Sequence, residues 1–356
     1  MPLISPSALL QAYLSQDPPI RPSNRTPTET RPIHLNTGSL THCNGSSLVK
    51  LGESTIVCAI RAELLPISEI AHYRSSESAR VSQERTEEDS YEAVTLNNLL
   101  VPNLELSTNC HPSFPANVAP TVTGQSISQR VLSLLHSSRF VSIASLEIRH
   151  TSDPAASGSA GLDPDDPAYV EPEKDVLKAY WTLYIDCVAL SYGGEANAFD
   201  TTVMAVIAAL KDVRIPQARW DEDSKQIFCS PDYTKARTLE LRGLPCPLSF
   251  GVFEPDSRIK FDNEGAEVNG TATPSKQKSQ GATILLDIDY FESDVCTEKG
   301  NIVVDWSSRS CRILRLEKVG GGGVLGLEGI KQIVDSAEKR CQEWKAVLDG
   351  ASGSGG

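Results

Sequence analysis

Five carboxylates, Asp287, Asp289, Glu292, Asp294 and Glu298, crowd into the stretch ILLDIDYFESDVCTEKGNIVVD, residues 284–305. Clustered carboxylates can hold a divalent cation and, through it, neutralise a phosphate under attack. They can also cap a strand end and face water, and taken alone that plainer reading wins. Other chemistries find no anchor. There is no H-E-x-x-H, no G-x-S-x-G, and none of the six histidines stands at ligand spacing from another. The glycine run 320–323 precedes a helix but lacks the Lys-Ser/Thr of a P-loop and the spacing of a dinucleotide fingerprint, so it reads as a flexible connection.

The elements that must position these residues follow from periodicity. PSALLQAYLSQ, residues 6–16, reads as a helix, and the five prolines of DPPIRPSNRTPTETRP forbid regular structure after it. Residues 1–30 are therefore expected to form a helix and an extended arm, with the globular body starting near Arg31. RPIHLNTGSL and SSLVKL flank Asn44-Gly45, a hairpin turn signal, and STIVCAIRAEL is the next strand. TGQSISQRVLSLLHSSRF carries Ile127, Val131, Leu132, Leu134 and Leu135 on a helical stripe, and VSIASLEIRH reads as a strand. AYWTLYIDCVAL is a strand, SYGGEAN a turn, and FDTTVMAVIAALKDV a helix apolar nearly all round, hence buried between layers. PLSFGVFE and TILLDID are strands. The last helix is predicted to put Ile330, Val334, Ala337, Cys341, Trp344 and Leu348 on one face and to stop at Gly350. Polar, Pro-rich or Gly-rich stretches near 66–95, 151–177 and 254–280 read as insertions, and 350–356 as a disordered tail. The fold class is α+β, with mixed sheets and interleaved helices and no fixed-period repeat.

Bulk properties limit the function. The 356 residues, 40% hydrophobic, supply an ample core. The longest apolar run, 202–210, falls well short of the roughly 20 residues that span a bilayer, and no secretory signal pattern opens the chain, so no membrane association is expected. Nine cysteines without a C-x-x-C pair suggest reduced thiols. Sequons at Asn24, Asn44 and Asn269 are discounted for want of a secretory route. A net charge of −13 argues against nucleic-acid binding over the whole surface. Arg130, Arg139 and Arg149 could still build a local path for RNA, although a solvated helix face, taken alone, explains them better.

LLDIDYFESDVCTEKGNIVV resembles the ribonuclease PH signature L-D-L-D-Y-x-E-D-x-x-A-x-x-D-M-N-V-V. WTLYIDCVALSYGGEANAFDTTVMAVIAAL is similar to that family's W-x-I-x-V-D-x-x-V-L-x-x-D-G-x-x-x-D-A stretch. The likeness runs from about Arg31 to the last helix and implies a ribonuclease PH-like fold (ribosomal protein S5 domain 2-like), with 31–349 as the domain. RPIHLNTGSLTHCNGSSLVKLGESTIVCAIRAE is similar to the eukaryotic exosome ring subunits, and LLVPNLELSTNCHPSFPAN to one of them in particular.

In active members of that family, phosphate attacks the terminal phosphodiester of RNA. The phosphate is held by an arginine of the helix motif Q-R-x-x-G-R-S-x-R, and the metal by two aspartates six residues apart, because two anions react only across such a positive clamp. Aligned without a gap, the first metal aspartate falls on Ser293 and the second on Lys299. Anchoring on Gln129-Arg130 puts the phosphate arginine at Leu134. The resemblance thus implies a chain without catalytic residues, metal or cofactor. A local bulge would bring Asp294 or Glu298 to the lost positions, but nothing would replace the arginine.

The expectation is a structural subunit of a six-membered ring of ribonuclease PH-like proteins in the RNA exosome, supporting ribosomal RNA maturation in nucleus, nucleolus and cytoplasm. Its partners would be the other ring subunits, S1/KH-type cap subunits, single-stranded RNA passing through the ring, and an associated hydrolytic ribonuclease. The alternatives are an active phosphate-dependent 3′-to-5′ exoribonuclease and an independent RNA-binding adaptor. The net charge disfavours the adaptor.

Overall fold

The computed structural model describes residues 5–70, 87–114, 121–151, 176–256, 282–306, 311–321 and 325–352. Helix α1 (Pro6–Leu14) starts where Ser5 accepts the Ala8 amide on its Oγ at 3.2 Å and Pro6 takes the first helical position. Its Leu10 and Leu14 are buried against Phe253, Leu285, Ile288 and Cys296. The arm after it contains no helix or strand, yet Arg21 and Arg31 are buried. Helix and arm pack into the half of the molecule that carries the carboxylates.

The first sheet joins β1 (Ile33–Thr37), β2 (Gly45–Leu51), β3 (Ser54–Pro66), β6 (Val176–Ser191) and β4 (Leu100–Glu105) in the order β1-β2-β3-β6-β4, and β5 (Glu147–His150) also pairs with β6. All pairs are antiparallel except β4 with β6. Asn44-Gly45 does not form the expected turn. Gly45 is already the first residue of β2, and Asn44 spends its amide group on the Arg214 carbonyl at 3.1 Å and the Ala62 amide at 2.8 Å. Glycine is needed there for close packing: a Cβ on Gly45 would stand 2.8 Å from the carbonyl oxygen of Ala209. Gly45→Ala is therefore expected to cost about 1–3 kcal/mol, as overpacking does. An unchanged urea midpoint would contradict this.

Three further expectations shift. Only Glu147–His150 of VSIASLEIRH is strand, because Val141 bridges Leu241, the Ser142 amide donates to the Glu240 carbonyl at 2.9 Å, and residues 143–145 form a single 3-10 turn. Within the expected insertion near 66–95, β3 runs to Pro66, residues 71–86 lie outside the described residues, and α2 (Glu87–Leu96) buries Tyr91 and Val94 in the main core. The polar composition hid an apolar pair at helical spacing. Of the other two insertions, 152–175 and 257–281 lie outside the described residues, as does most of the expected tail, 353–356.

Helix α3 (Val122–Ser138) packs on β4. Helix α4 (Glu195–Asp212) starts at Gly194, whose φ of +100° favours glycine, and every residue from Asn197 to Leu210 is buried. It lies as the layer between the first sheet and a second one, β12-β11-β13-β14, formed by β11 (Pro245–Phe253), β12 (Thr283–Leu286), β13 (Glu298–Asp305) and β14 (Arg312–Gly320), all antiparallel. Two short pairs, β7 (Arg214–Ile215) with β10 (Arg237–Thr238) and β8 (Ala218–Asp221) with β9 (Gln226–Cys229), complete the strands. A short helix α5 (Tyr290–Val295) joins β12 to β13. The last helix, α6 (Leu327–Ser352), packs on β1, β11 and β13 and runs through Gly350; its buried stripe begins at Ile333, with Ile330 and Val334 only half-buried.

Candidate functional site

The carboxylate cluster disperses on folding. Asp289 caps α5, accepting the Glu292 amide at 2.8 Å while Glu292 accepts the Asp289 amide at 3.1 Å, a reciprocal capping box. Asp287 is buried with φ +51° and meets Arg31 on both oxygens: Nε donates at 3.0 Å, Nη2 at 2.5 Å, and the Arg31 amide at 2.7 Å. Arg25 adds an ion pair at 3.7 Å, and Arg21 pairs with the fully buried Glu292 at 3.2 Å. Glu298 is buried and takes Lys318 at 2.9 Å, while Asp294 is exposed. Among the described residues no three of His, Cys, Asp and Glu converge as a metal would require.

The two buried carboxylates respond oppositely to these surroundings. Burial alone would raise the pKa of Asp287, but the hydrogen bonds and charge of Arg31 outweigh it and hold the carboxyl below the usual range. Glu292 is raised, because burial outweighs the charges of Arg21 and Arg25 and the hydrogen bond from the Asp289 amide.

Ser293 and Lys299 do come together. α5 supplies the serine and β13 the lysine, whose Nζ donates to Ser293 Oγ at 3.4 Å. Both line an open cleft of about 650 Å³ with Ser126, Arg130, Glu195 and Glu317. A hydroxyl beside an ammonium does not fit a divalent cation, which needs anionic or neutral oxygen donors. No bulge exchanges Lys299 with its neighbour Glu298. β13 keeps continuous register with β11 from Val252↔Glu298 to Pro245↔Asp305, and its irregularity against β14 lies at Val303/Val304. Glu298 therefore points to the opposite face from Lys299.

Leu134 is 2% exposed and belongs to the main core, so it lines no part of the cleft. The α3 cation that does is Arg130, one turn earlier, and it is already engaged. Its Nη2 donates to Asn301 Oδ1 at 3.0 Å, its Nε to Glu317 Oε2 at 2.9 Å, and its guanidinium lies 4.0 Å over the Phe199 ring. Arg315 binds Glu317 from the other side and donates to the Arg130 carbonyl at 3.1 Å. Below, Asn301 donates to Asp200 at 3.1 Å, and the Ser249 amide to the same carboxyl at 2.7 Å. Burial, helped by the charge of Asp287, raises Asp200 to about 7.

The three candidate RNA contacts separate. Arg139 is the left-handed C-cap of α3, nine residues from Arg130 and so about 14 Å along the axis. Arg149 lies on β5, donating to Glu147 at 2.7 Å. Of the three, Arg130 lines the cleft. Sequence reasoning missed the arm arginines. The available signal was Arg21, Arg25 and Arg31 close together in a chain of net charge −13, answering a carboxylate cluster far away in sequence.

The model of the 3′ exoribonuclease family, domain 1 (RNase PH), matches residues 29–216. The chain therefore belongs to the RNase PH family, and its α+β fold of helices between mixed sheets is that family's. Among relatives, it is 30% identical over 251 residues to the exosome complex component rrp43 of Schizosaccharomyces pombe, covering 70% of this chain and 72% of that one. It is 25% identical over 188 residues to the exosome complex component Rrp42 of Thermococcus gammatolerans, covering 52% and 56%. The fold also matches a chain of the Archaeoglobus fulgidus exosome with RNA bound to the active site, with a TM-score of 0.57, 16% identity and 95% coverage of both chains. The likeness of LLVPNLELSTNCHPSFPAN to one exosome ring subunit, ribosomal RNA-processing protein forty-three, agrees with the first of these relatives.

Proposed function

We propose that this chain is a non-catalytic member of an exosome core ring, which supports 3′-to-5′ RNA processing by holding its neighbours and guiding RNA to a hydrolytic ribonuclease bound elsewhere. The observation that carries the reading is the Lys299–Ser293 pair, an ammonium and a hydroxyl where active relatives would need two metal carboxylates. Leu134, buried in the core, is the third lost position. The names of the relatives support membership of an exosome. The other RNase PH-like ring subunits are the primary partners in this reading, and S1/KH-type caps, single-stranded RNA and the nuclease join through the assembled ring. Residence in nucleus, nucleolus and cytoplasm follows from the same assignment.

Phosphorolysis needs both the cation and the phosphate clamp, so the purified chain is expected to release no nucleoside diphosphate from a 3′-extended single-stranded RNA given Mg²⁺ and inorganic phosphate. Phosphate-dependent release would establish the active exoribonuclease instead. Native mass spectrometry of the complex captured on this chain should find one copy among several different subunits. A homo-hexamer would overturn the scaffold reading.

A further inference from the structure

Leu316, Glu317, Lys318 and Val319, four consecutive residues of β14, all line the cleft. Lys299, Gly300 and Asn301 of β13 line it as well, so the cleft lies over this outer corner of the sheet. Among the described residues β14 pairs with β13 alone and ends its sheet, which leaves its outer edge open. An unpaired edge offers a row of N–H and C=O groups to another extended chain, and proteins usually blunt such edges with lysine, proline or a bulge. None of these guards protects the cleft end. β14 has no proline, its irregularity lies at the far end, opposite Val303/Val304, and Lys318 is drawn back onto the buried Glu298. Instead Leu316 is 42% and Val319 70% exposed.

Charge completes the pattern. Lys299 stands directly opposite Val319 in register, and among the described residues its ammonium meets the Ser293 hydroxyl but no carboxylate. The neighbouring cations are spent, Arg130 and Arg315 on Glu317 and Lys318 on Glu298. A phosphate backbone needs several available cations, whereas a single carboxylate flanked by apolar side chains needs one.

We propose that this cleft docks an extended polypeptide segment of a neighbouring subunit, which adds a strand to the free edge of β14, sets a carboxylate on Lys299 and covers Val319 and Leu316. The lost catalytic position becomes an assembly contact. This inference rests on the ring reading above.

Hydrogen exchange of the full chain, alone and in the purified RNA-free assembly, tests it. Amides 315–319 are expected to slow about tenfold or more on assembly. Lys299→Glu should abolish that slowing while amides 300–304 of β13 stay as protected as in the wild type, which keeps a folding defect distinguishable. A photo-crosslinking residue in place of Val319 should join to a segment containing Asp or Glu, and reversing that acid to Lys should restore protection in the Lys299→Glu chain. If the hetero-assembly forms and amides 315–319 exchange as in the free chain, or slow only when a single-stranded oligonucleotide is added, the docking proposal fails and the ring reading stands. If no hetero-assembly forms, both fail.

Discussion

Replacing Arg31 with alanine is expected to lower folding stability by about 3–5 kcal/mol, the cost of stranding one member of a buried ion pair. The Arg31 and Asp287 side chains are 9% and 2% exposed, and three donors of Arg31 reach the carboxylate. The guanidinium stem also lies where a Cβ on Gly52, at φ +58°, would approach it to 2.4 Å, so packing is lost along with charge. Because Arg31 holds the Asp287 pKa down, the pair stabilises the fold above the ordinary carboxylate range and its contribution disappears as pH falls through the depressed value. Urea denaturation at pH 7 should show the full loss, and the wild-type advantage over Arg31→Ala should shrink on acidification. The double variant Arg31→Ala, Asp287→Ala should recover part of the loss by removing the stranded charge. A single-variant cost below about 1 kcal/mol, the range of an exposed pair, would show that the arm does not clamp this carboxylate.

Asp200 gives the opposite pH dependence. Its folded pKa of about 7 lies above the value of an unfolded aspartate. The folded state therefore keeps a proton that the unfolded state gives up, and the stability this confers is complete below about pH 4 and lost as pH rises to about 7. The span corresponds to about 4 kcal/mol, an order-of-magnitude figure for a fully buried carboxyl. Asp200→Asn removes the titration while forfeiting the bond from Asn301. The variant is expected to be less stable than wild type near pH 4.5 and equal or better near pH 8, so that the two stability curves cross. A constant difference across that range would mean that Asp200 does not titrate there. The group matters to the site because Asp200, Asn301, Arg130 and Glu317 form one connected chain beneath the cleft.

The core elements were legible wherever apolar periodicity ran long. Helix α4, apolar nearly all round, is buried along its length, and the strands β1 to β3, β11 and β12 fall close to their predicted places. Short-range signals misled where a residue served a distant contact. Asn44-Gly45 carries turn chemistry, but Gly45 is glycine because the backbone of α4 comes too close for a side chain. Gly350 has the composition of a helix stop, yet α6 continues past it. Tyr91 and Val94 were lost in a charged stretch because two apolar residues make too short a pattern to outweigh it.

The sequence by itself determined the family, the fold class and the residue types at Ser293, Lys299 and Leu134, since residue type and spacing are one-dimensional facts. A leucine cannot clamp phosphate and a lysine cannot ligate a cation wherever they lie. What only the tertiary structure decided is the use of the remaining charges. Nothing in the chain order couples Arg21, Arg25 and Arg31 to Asp287 and Glu292, across more than two hundred and fifty residues. Nor does it reveal that Arg130 is spent on Glu317 while Lys299, among the described residues, meets no carboxylate. Ion pairing and edge exposure depend on distances in space, which only the packed sheets and helices fix.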